Sequence, residues 1–323
     1  MLRTHLTTRL GLRYPLIGAP MANLAGGELA RAITEAGGLG MIGVGSRDSP
    51  EFVEREASLV RRDSAAIRFG IGLMAWDLVN RPQVLDAVIA AHPFLVSVSF
   101  GAIEPYVAPL HEAGILVASQ VHDSTEAITA TGAGVDLVVV QGGEAGGHTG
   151  SVSTLALLQV VLQATSLPVV AAGGIATPAG MAACLAAGAE GAWVGTAFIA
   201  SPECRRRPAA ISAILAACET DTVRTHAFDQ AQGIPWPERF PGRALRNDFT
   251  ERWHGREGQM AEDLAAQVEY RSACQHGDYN LAHIYAGQAV GLVRSVQPAG
   301  DVLREIAEGA EALLRVRFAQ VLA

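Results

Sequence analysis

The chain has 323 residues, half of them hydrophobic and 17% charged, which suffices for a large buried core and rules out a disordered or collagen-like polypeptide. A formal charge of -8 and a pI near 5.6 argue against attraction to nucleic-acid backbones or anionic membranes. All 24 basic residues are arginine, so a Schiff-base aldolase, lysine-anchored pyridoxal phosphate and a lysine-bearing phosphate loop are excluded.

In chain order, eight short apolar runs alternate with helical patterns: Leu16 to Ala19, Leu39 to Val44, Arg68 to Leu73, Phe94 to Ser99, Ile115 to Gln120, Asp136 to Gln141, Pro168 to Ala172 and Ala192 to Val194. Strands buried on both faces lose their polar alternation and read as such runs. The regular pitch of strand, loop and short helix predicts a TIM-type (β/α)8 barrel, with an open doubly wound sheet as the alternative because periodicity cannot show whether the last strand meets the first. Asp123-Ser124-Thr125-Glu126 and Thr177-Pro178 read as helix starts, and Gly37-Gly38, Gly114 and Gly188 as helix ends. The stretch Ala145 to Ala189 carries no charge, but its glycines, prolines and glutamines break it too often for a membrane span, so burial is expected instead.

Beyond Ser201 the pattern changes. An eighth helix is expected near Arg207 to Cys218, followed by the stiff segment Gln232 to Arg243 with its three prolines. The predicted organisation is a barrel over residues 1–218, a small, mostly helical accessory or cap region over 219–290, and a C-terminal helix over 291–323 packing back on the barrel. Cys184, Cys204, Cys218 and Cys274 form no pair at zinc spacing, so no metal site is expected. With no signal-like opening, the expected setting is a reducing cytoplasm.

In such barrels chemistry sits at the carboxyl ends of the strands. After the sixth run, Gln141-Gly-Gly-Glu-Ala-Gly-Gly-His148-Thr-Gly sets five glycines around one histidine, allowing close backbone approach to a flat or phosphorylated ligand. His148 is the acid/base candidate there, the plainer reading being a histidine hydrogen-bonded in a buried loop. Ala172-Gly173-Gly174 after the seventh run and Gly195-Thr196 after the eighth suit a phosphate cup of backbone N–H groups and one hydroxyl. A phosphorylated cofactor that supplies the reactivity follows, and flavin mononucleotide (FMN) fits.

The opening Tyr14-Pro-Leu-Ile-Gly-Ala-Pro-Met21-Ala, the glycine-histidine loop, Ala-Ala-Gly-Gly-Ile175, Val-Gly-Thr196 and Tyr285-Ala-Gly-Gln288 together resemble the nitronate monooxygenase family, formerly 2-nitropropane dioxygenases. The resemblance implies an FMN-dependent barrel that oxidises alkyl nitronates with O2 to a carbonyl compound and nitrite. It implies that Met21, Ala22, Gln141, Gly146 and Gly147 border the isoalloxazine and that Ala172, Gly173, Gly174, Gly195 and Thr196 hold the phosphate. His148 is then the catalytic histidine, a base toward a neutral nitroalkane or a hydrogen-bond donor or cation toward a nitronate, the latter suiting a water-poor pocket. Gly72 and Gln120 stand at flavin-facing positions where many members carry asparagine and some carry lysine, respectively. A neutral amide at 120 supports charge on the flavin less than a cation does.

Similar motifs occur in flavin-dependent enoyl reductases of the enoyl-acyl-carrier-protein reductase II type, which use NAD(P)H, and in NADH:quinone reductases; a flavin-binding protein without turnover is the non-enzymatic alternative. Arg239, Arg243, Arg246, Arg252 and Arg256 are read as surface residues rather than a dinucleotide anchor. Met74 and Trp76 are expected on the pocket wall; Trp236, Phe240, Phe249 and Trp253 are read chiefly as accessory core and secondarily as a cap, and His122 as structural. The expected partners are a small nitronate and O2, with NAD(P)H in the rival reading; no nucleic acid or membrane is expected, and a homo-oligomer is compatible with the sequence.

Overall fold

The computed structural model describes residues 2–322. Its strands are β1 (Leu16–Gly18), β2 (Met41–Gly43), β3 (Gly70–Met74), β4 (Leu95–Ser99), β5 (Leu116–Val121), β6 (Leu137–Gln141), β7 (Gly147–His148), β8 (Val169–Ala172), β9 (Gly191–Val194), β10 (Thr222–Thr225) and β11 (Gly242–Leu245). Eight of them are parallel neighbours in the order β1-β9-β8-β6-β5-β4-β3-β2. A parallel bridge between Ile17 and Leu39 joins the two ends, with Gly18 N–H donating to Leu39 O at 2.9 Å and Leu39 N–H to Leu16 O at 3.1 Å. The sheet is therefore a TIM-type barrel, and the open alternative falls.

Each of the eight predicted runs carries a barrel strand, with ends displaced by up to a few residues. The helix starts are built as their residue types require. Asp123 Oδ1 accepts from Glu126 N–H at 2.8 Å, and Thr177 Oγ1 accepts from Gly180 N–H at 3.2 Å ahead of Pro178.

Two apolar layers hold the barrel. Ile17, Met41, Leu95, Val139, Val170 and Trp193 fill its interior, and Leu6 and Leu10 of the helix His5–Leu10 close the amino-terminal end. Outside, the strands' other faces pack against the helices, including the helix Ala299–Val321, whose Leu303, Ile306 and Ala310 are buried at helical spacing. Sealing one end leaves the carboxyl end of the strands as the open mouth.

Residues 219–290 lie over that mouth. The helices Ala227–Gln232, Asp248–Trp253, Glu257–Glu262 and Leu264–His276 bury Phe228, Phe249, Trp253, Met260 and Tyr270 in a core of their own. A small sheet accompanies them: β10 runs antiparallel to β11, and β11 pairs in turn with β7, Gly242 opposite His148 and Arg243 opposite Gly147. The mostly helical expectation did not include this sheet, because Thr-Val-Arg-Thr and Gly-Arg-Ala-Leu show no apolar run. No helix among the described residues is long and apolar enough to cross a membrane.

Candidate active site

The carboxyl ends of the barrel strands and the accessory region enclose one cavity of about 260 Å³. Met21, Ala22, Gly72, Gln120, Gln141, Gly146, Gly147, His148, Ala172, Gly173, Gly174, Gly195 and Thr196 all line it. These residues come from six barrel strands or the loops after them and meet only because the sheet closes.

The phosphate-cup geometry is local. Gly173 and Gly174 take φ of 101° and 73°, a left-handed pair that turns successive N–H groups one way. The N–H groups of Gly173, Gly174 and Gly195 donate to no acceptor among the described residues. Thr196 Oγ1 accepts from Gly287 N–H at 3.0 Å, which leaves its hydroxyl proton to give to a ligand. Donors with no partner around a glycine-lined hollow fit a bound phosphate.

The polar edge of the cavity is set by amides. His122, buried, donates from Nε2 to Gln141 Oε1 at 2.7 Å, while its Nδ1 lies 2.9 Å from Glu126 Oε2. This assigns Oε1 of the Gln141 amide as the acceptor; neither its NH2 nor the Gln120 side chain has a hydrogen-bond partner among the described residues, and both residues line the cavity. His122 is thus a positioning residue outside the cavity wall. Gly72 has a steric cause: a Cβ there would lie 2.3 Å from Pro20 Cγ, so the chain that presents Met21 admits no side chain at 72.

His148 sits in a proton network that spans the accessory region. Its Nε2 is 2.9 Å from Asp229 Oδ1, its ring stacks on Trp236 at 3.5 Å and 8°, and Tyr285 OH donates to the same carboxylate oxygen at 3.4 Å. The other oxygen, Oδ2, lies 3.1 Å from His226 Nδ1, and His226 Nε2 donates to Glu238 O at 2.8 Å. Burial lowers the His148 pKa against the raising influence of Asp229. The hydrogen bond to Asp229 raises that of His226. For Asp229, burial is the largest single influence and opposes ionisation, but the hydrogen bonds from the two histidines together outweigh it and hold the carboxyl below its usual range. The consistent assignment is a protonated His226, an ionised Asp229 and a neutral His148 that donates Nε2–H, leaving Nδ1 as a lone pair without a partner among the described residues. That disfavours the cationic or donor role and favours a base.

Aromatic rings wall this end. Phe100, at a φ of 65°, lies 5.2 Å from both Trp236 and Phe240, and Trp236 lies 5.2 Å from Trp76. A phenylalanine held in the left-handed region is strained, and such strain concentrates at functional sites. Met74 and Trp236 line the cavity; Trp76 stands behind Trp236, Phe240 behind Phe100, and Phe249 and Trp253 belong to the accessory core. Arg239, Arg243, Arg246, Arg252 and Arg256 do not line it, and the first four have protein partners such as Asp123, Gly143 O, Glu251 and Glu269. The site residues missed from sequence are Asp229, His226, Phe100 and Arg206: Asp229, His226 and Arg206 lie in no glycine-marked turn, whereas Phe100 directly precedes Gly101 at the carboxyl end of β4, a signal that could have found it.

A closed β/α barrel with a glycine-lined hollow of unpartnered N–H donors and a carboxylate-oriented histidine at its mouth has the architecture of a barrel oxidoreductase. A family profile described as nitronate monooxygenase matches residues 73–309, and the chain belongs to that family. A probable nitronate monooxygenase from Staphylococcus aureus (strain JH9) is 28% identical over 94% of this chain and 96% of its own. Among solved structures, FabK from Thermotoga maritima superposes with a TM-score of 0.85 at 30% identity, covering 99% of this chain and 100% of that one. The nitroalkane oxidase from Streptomyces ansochromogenes gives a TM-score of 0.81 at 29% identity over 96% and 99%.

Proposed function

We propose that the protein is an FMN-dependent nitronate monooxygenase that also takes up neutral nitroalkanes, oxidising the alkyl nitronate with O2 to a carbonyl compound and nitrite. The observation that carries this reading is the single cavity in which a neutral, Asp229-held His148 faces the same space as the phosphate hollow and the two free amides. Bound there, FMN supplies the electron-accepting chemistry and the link to O2. Gly173, Gly174, Gly195 and Thr196 would hold its phosphate, Gln120 and Gln141 the polar edge of its ring, and Met21, Ala22, Gly146 and Gly147 its faces.

The protein's own part is proton transfer and positioning. His148 Nδ1 takes the α-proton of a nitroalkane, and the ionised Asp229 beside Nε2 stabilises the imidazolium that forms. Trp236, flat against the imidazole, excludes water from one of its faces.

The test adds a simple alkyl nitronate, and separately its neutral nitroalkane, to the purified yellow protein without oxygen, then admits air. Bleaching of the flavin absorbance followed by O2 uptake and nitrite release supports the proposal. A flavin untouched by either compound but reduced by NAD(P)H, with turnover of an enoyl thioester, overturns it in favour of the reductase reading, for which the FabK likeness is the motive.

A further inference from the structure

The helix Ser124–Ala133 starts where β5 ends, and a line of charged groups runs inward from its first turn. Glu126 accepts through Oε2 from the backbone N–H of His122 at 2.7 Å, and the same oxygen lies 2.9 Å from His122 Nδ1. Its other oxygen, Oε1, lies 2.9 Å from Arg239 Nη2, which also reaches Asp123 Oδ2 at 2.8 Å. A carboxylate has only acceptors to offer, so the Nδ1 that faces it carries a proton. On the far side of the ring, Nε2 lies 2.7 Å from Gln141 Oε1, which is a second acceptor. A neutral imidazole has one N–H and satisfies only one of the two; the imidazolium satisfies both.

The ring is shut in where it stands. It is 3% exposed, the rings of Phe100 and Phe240 lie 5.2 and 4.8 Å from it, and a Cβ on Gly150 would come within 2.6 Å of the His122 Cβ. A charge buried in this way is felt over a greater distance than one in water. His122 does not line the cavity, but Gln141, which accepts from it, and Gln120, two residues before it on β5, both do. With its oxygen bound to a cation, the Gln141 amide is polarised and its NH2 becomes the stronger donor. The chain contains no lysine and both lining amides are neutral, so the positive charge behind this edge of the cavity comes from His122.

We propose that Glu126 holds His122 as an imidazolium and that this charge, acting through the Gln141 amide, stabilises the negative charge a flavin gains on reduction and so raises its reduction potential. Uptake of two electrons and one proton leaves the flavin ring with one negative charge, spread over its N1 and C2 carbonyl edge; the electrons come from the substrate. That edge is the one assigned to Gln120 and Gln141 in the function proposed above. His122 touches neither cofactor nor substrate and is a positioning residue. That the cavity holds FMN rests on the proposed function; the charge on His122 does not.

The charge and its effect are read separately. Histidine with isotope-labelled ring nitrogens reports by NMR whether both nitrogens of His122 are protonated, the signal being assigned by its absence from the His122→Gln protein. At about pH 6, below the ordinary imidazole value, both are expected to carry a proton with or without FMN. The equilibrium constant for two-electron reduction of the bound FMN, measured against a reference dye at the same pH, should fall at least tenfold in His122→Gln and in His122→Asn, a shift of about 30 mV. Either amide can still donate a hydrogen bond, so what these variants remove is the charge. Phe240→Leu loosens the same packing but leaves the ring charged, and should stay within twofold of the wild-type protein. A neutral His122 ring, a reduction constant unchanged in both His122 variants, or an equal fall in Phe240→Leu overturns the proposal, the last by assigning the effect to packing. Protein that takes up no FMN removes the cofactor reading and the redox role together. FMN that is bound but inert toward nitronates counts against the proposed function alone and leaves both readouts in place.

Discussion

At the scale of single residues, the site depends on which nitrogen of His148 is free. On the proposed function, removing the ring should leave FMN bound, because the glycine hollow and the amides are separate from it, while kcat/KM with a neutral nitroalkane falls about 10²- to 10⁴-fold, the range of a general base. The absorbance of the purified His148→Ala protein and its rate check both halves. Asp229→Asn is more discriminating. Asp229 raises the pKa of His148 against burial, so its loss should move the acidic limb of the kcat/KM profile to still lower pH. The plateau should drop about 10²-fold as the imidazolium loses its counter-charge, and an unshifted limb would remove Asp229 from the proton network.

At the scale of elements, the short antiparallel sheet is what delivers the histidine. β11 pairs with β7 at Gly242 and His148, and a Cβ on Gly242 would lie 2.8 Å from Tyr285 Cε1 and 3.3 Å from His148 Nε2. Gly242→Ala should therefore push these rings aside without touching the barrel strands or the phosphate hollow. Misplacement of a catalytic group by about 1 Å costs on the order of 10²-fold in rate. The variant should bind FMN as the parent does, melt within a few degrees of it, and lose one to two decades of kcat, read by O2 uptake.

At the scale of the whole molecule, the buried imidazole of His283 ties stability to pH. It is held at about 4, against an ordinary value of 6.5, by burial first and by Arg206 second. A base whose folded pKa lies below its unfolded one takes up its proton more readily once unfolded. Its contribution is thus complete above pH 6.5 and is lost as the pH falls toward 4. The shift corresponds to about 3 kcal/mol, of which about 2 should be gone by pH 5. Urea unfolding at pH 7 and pH 5 should show a loss of stability larger in the wild-type protein than in His283→Gln by about 2 kcal/mol, and equal losses would contradict the assignment. If FMN is the cofactor, as proposed, its removal should also lower stability, by about 4 kcal/mol relative to protein held at a thousand times the cofactor's Kd, seen as a concentration-dependent Tm.

The amino-acid sequence alone determined whatever rests on local pattern. Strands buried on both faces must be continuously apolar, so the eight barrel strands stand out as runs. Left-handed turns favour glycine, so Gly173-Gly174 and the loop before His148 are visible as composition. Tertiary structure decided what depends on contacts far apart in the chain. The bridge between Ile17 and Leu39 that closes the barrel leaves no trace in periodicity. Asp229 lies 81 residues beyond His148 in an unremarkable helical segment, and no propensity rule puts a phenylalanine at the φ of 65° found at Phe100. Of the successive Arg205, Arg206 and Arg207, only packing against Glu56 and Gln275 decides that the middle one is left to face the cavity. Patterns report which surfaces must be buried; which charges end up without a partner is settled when the chain closes on itself.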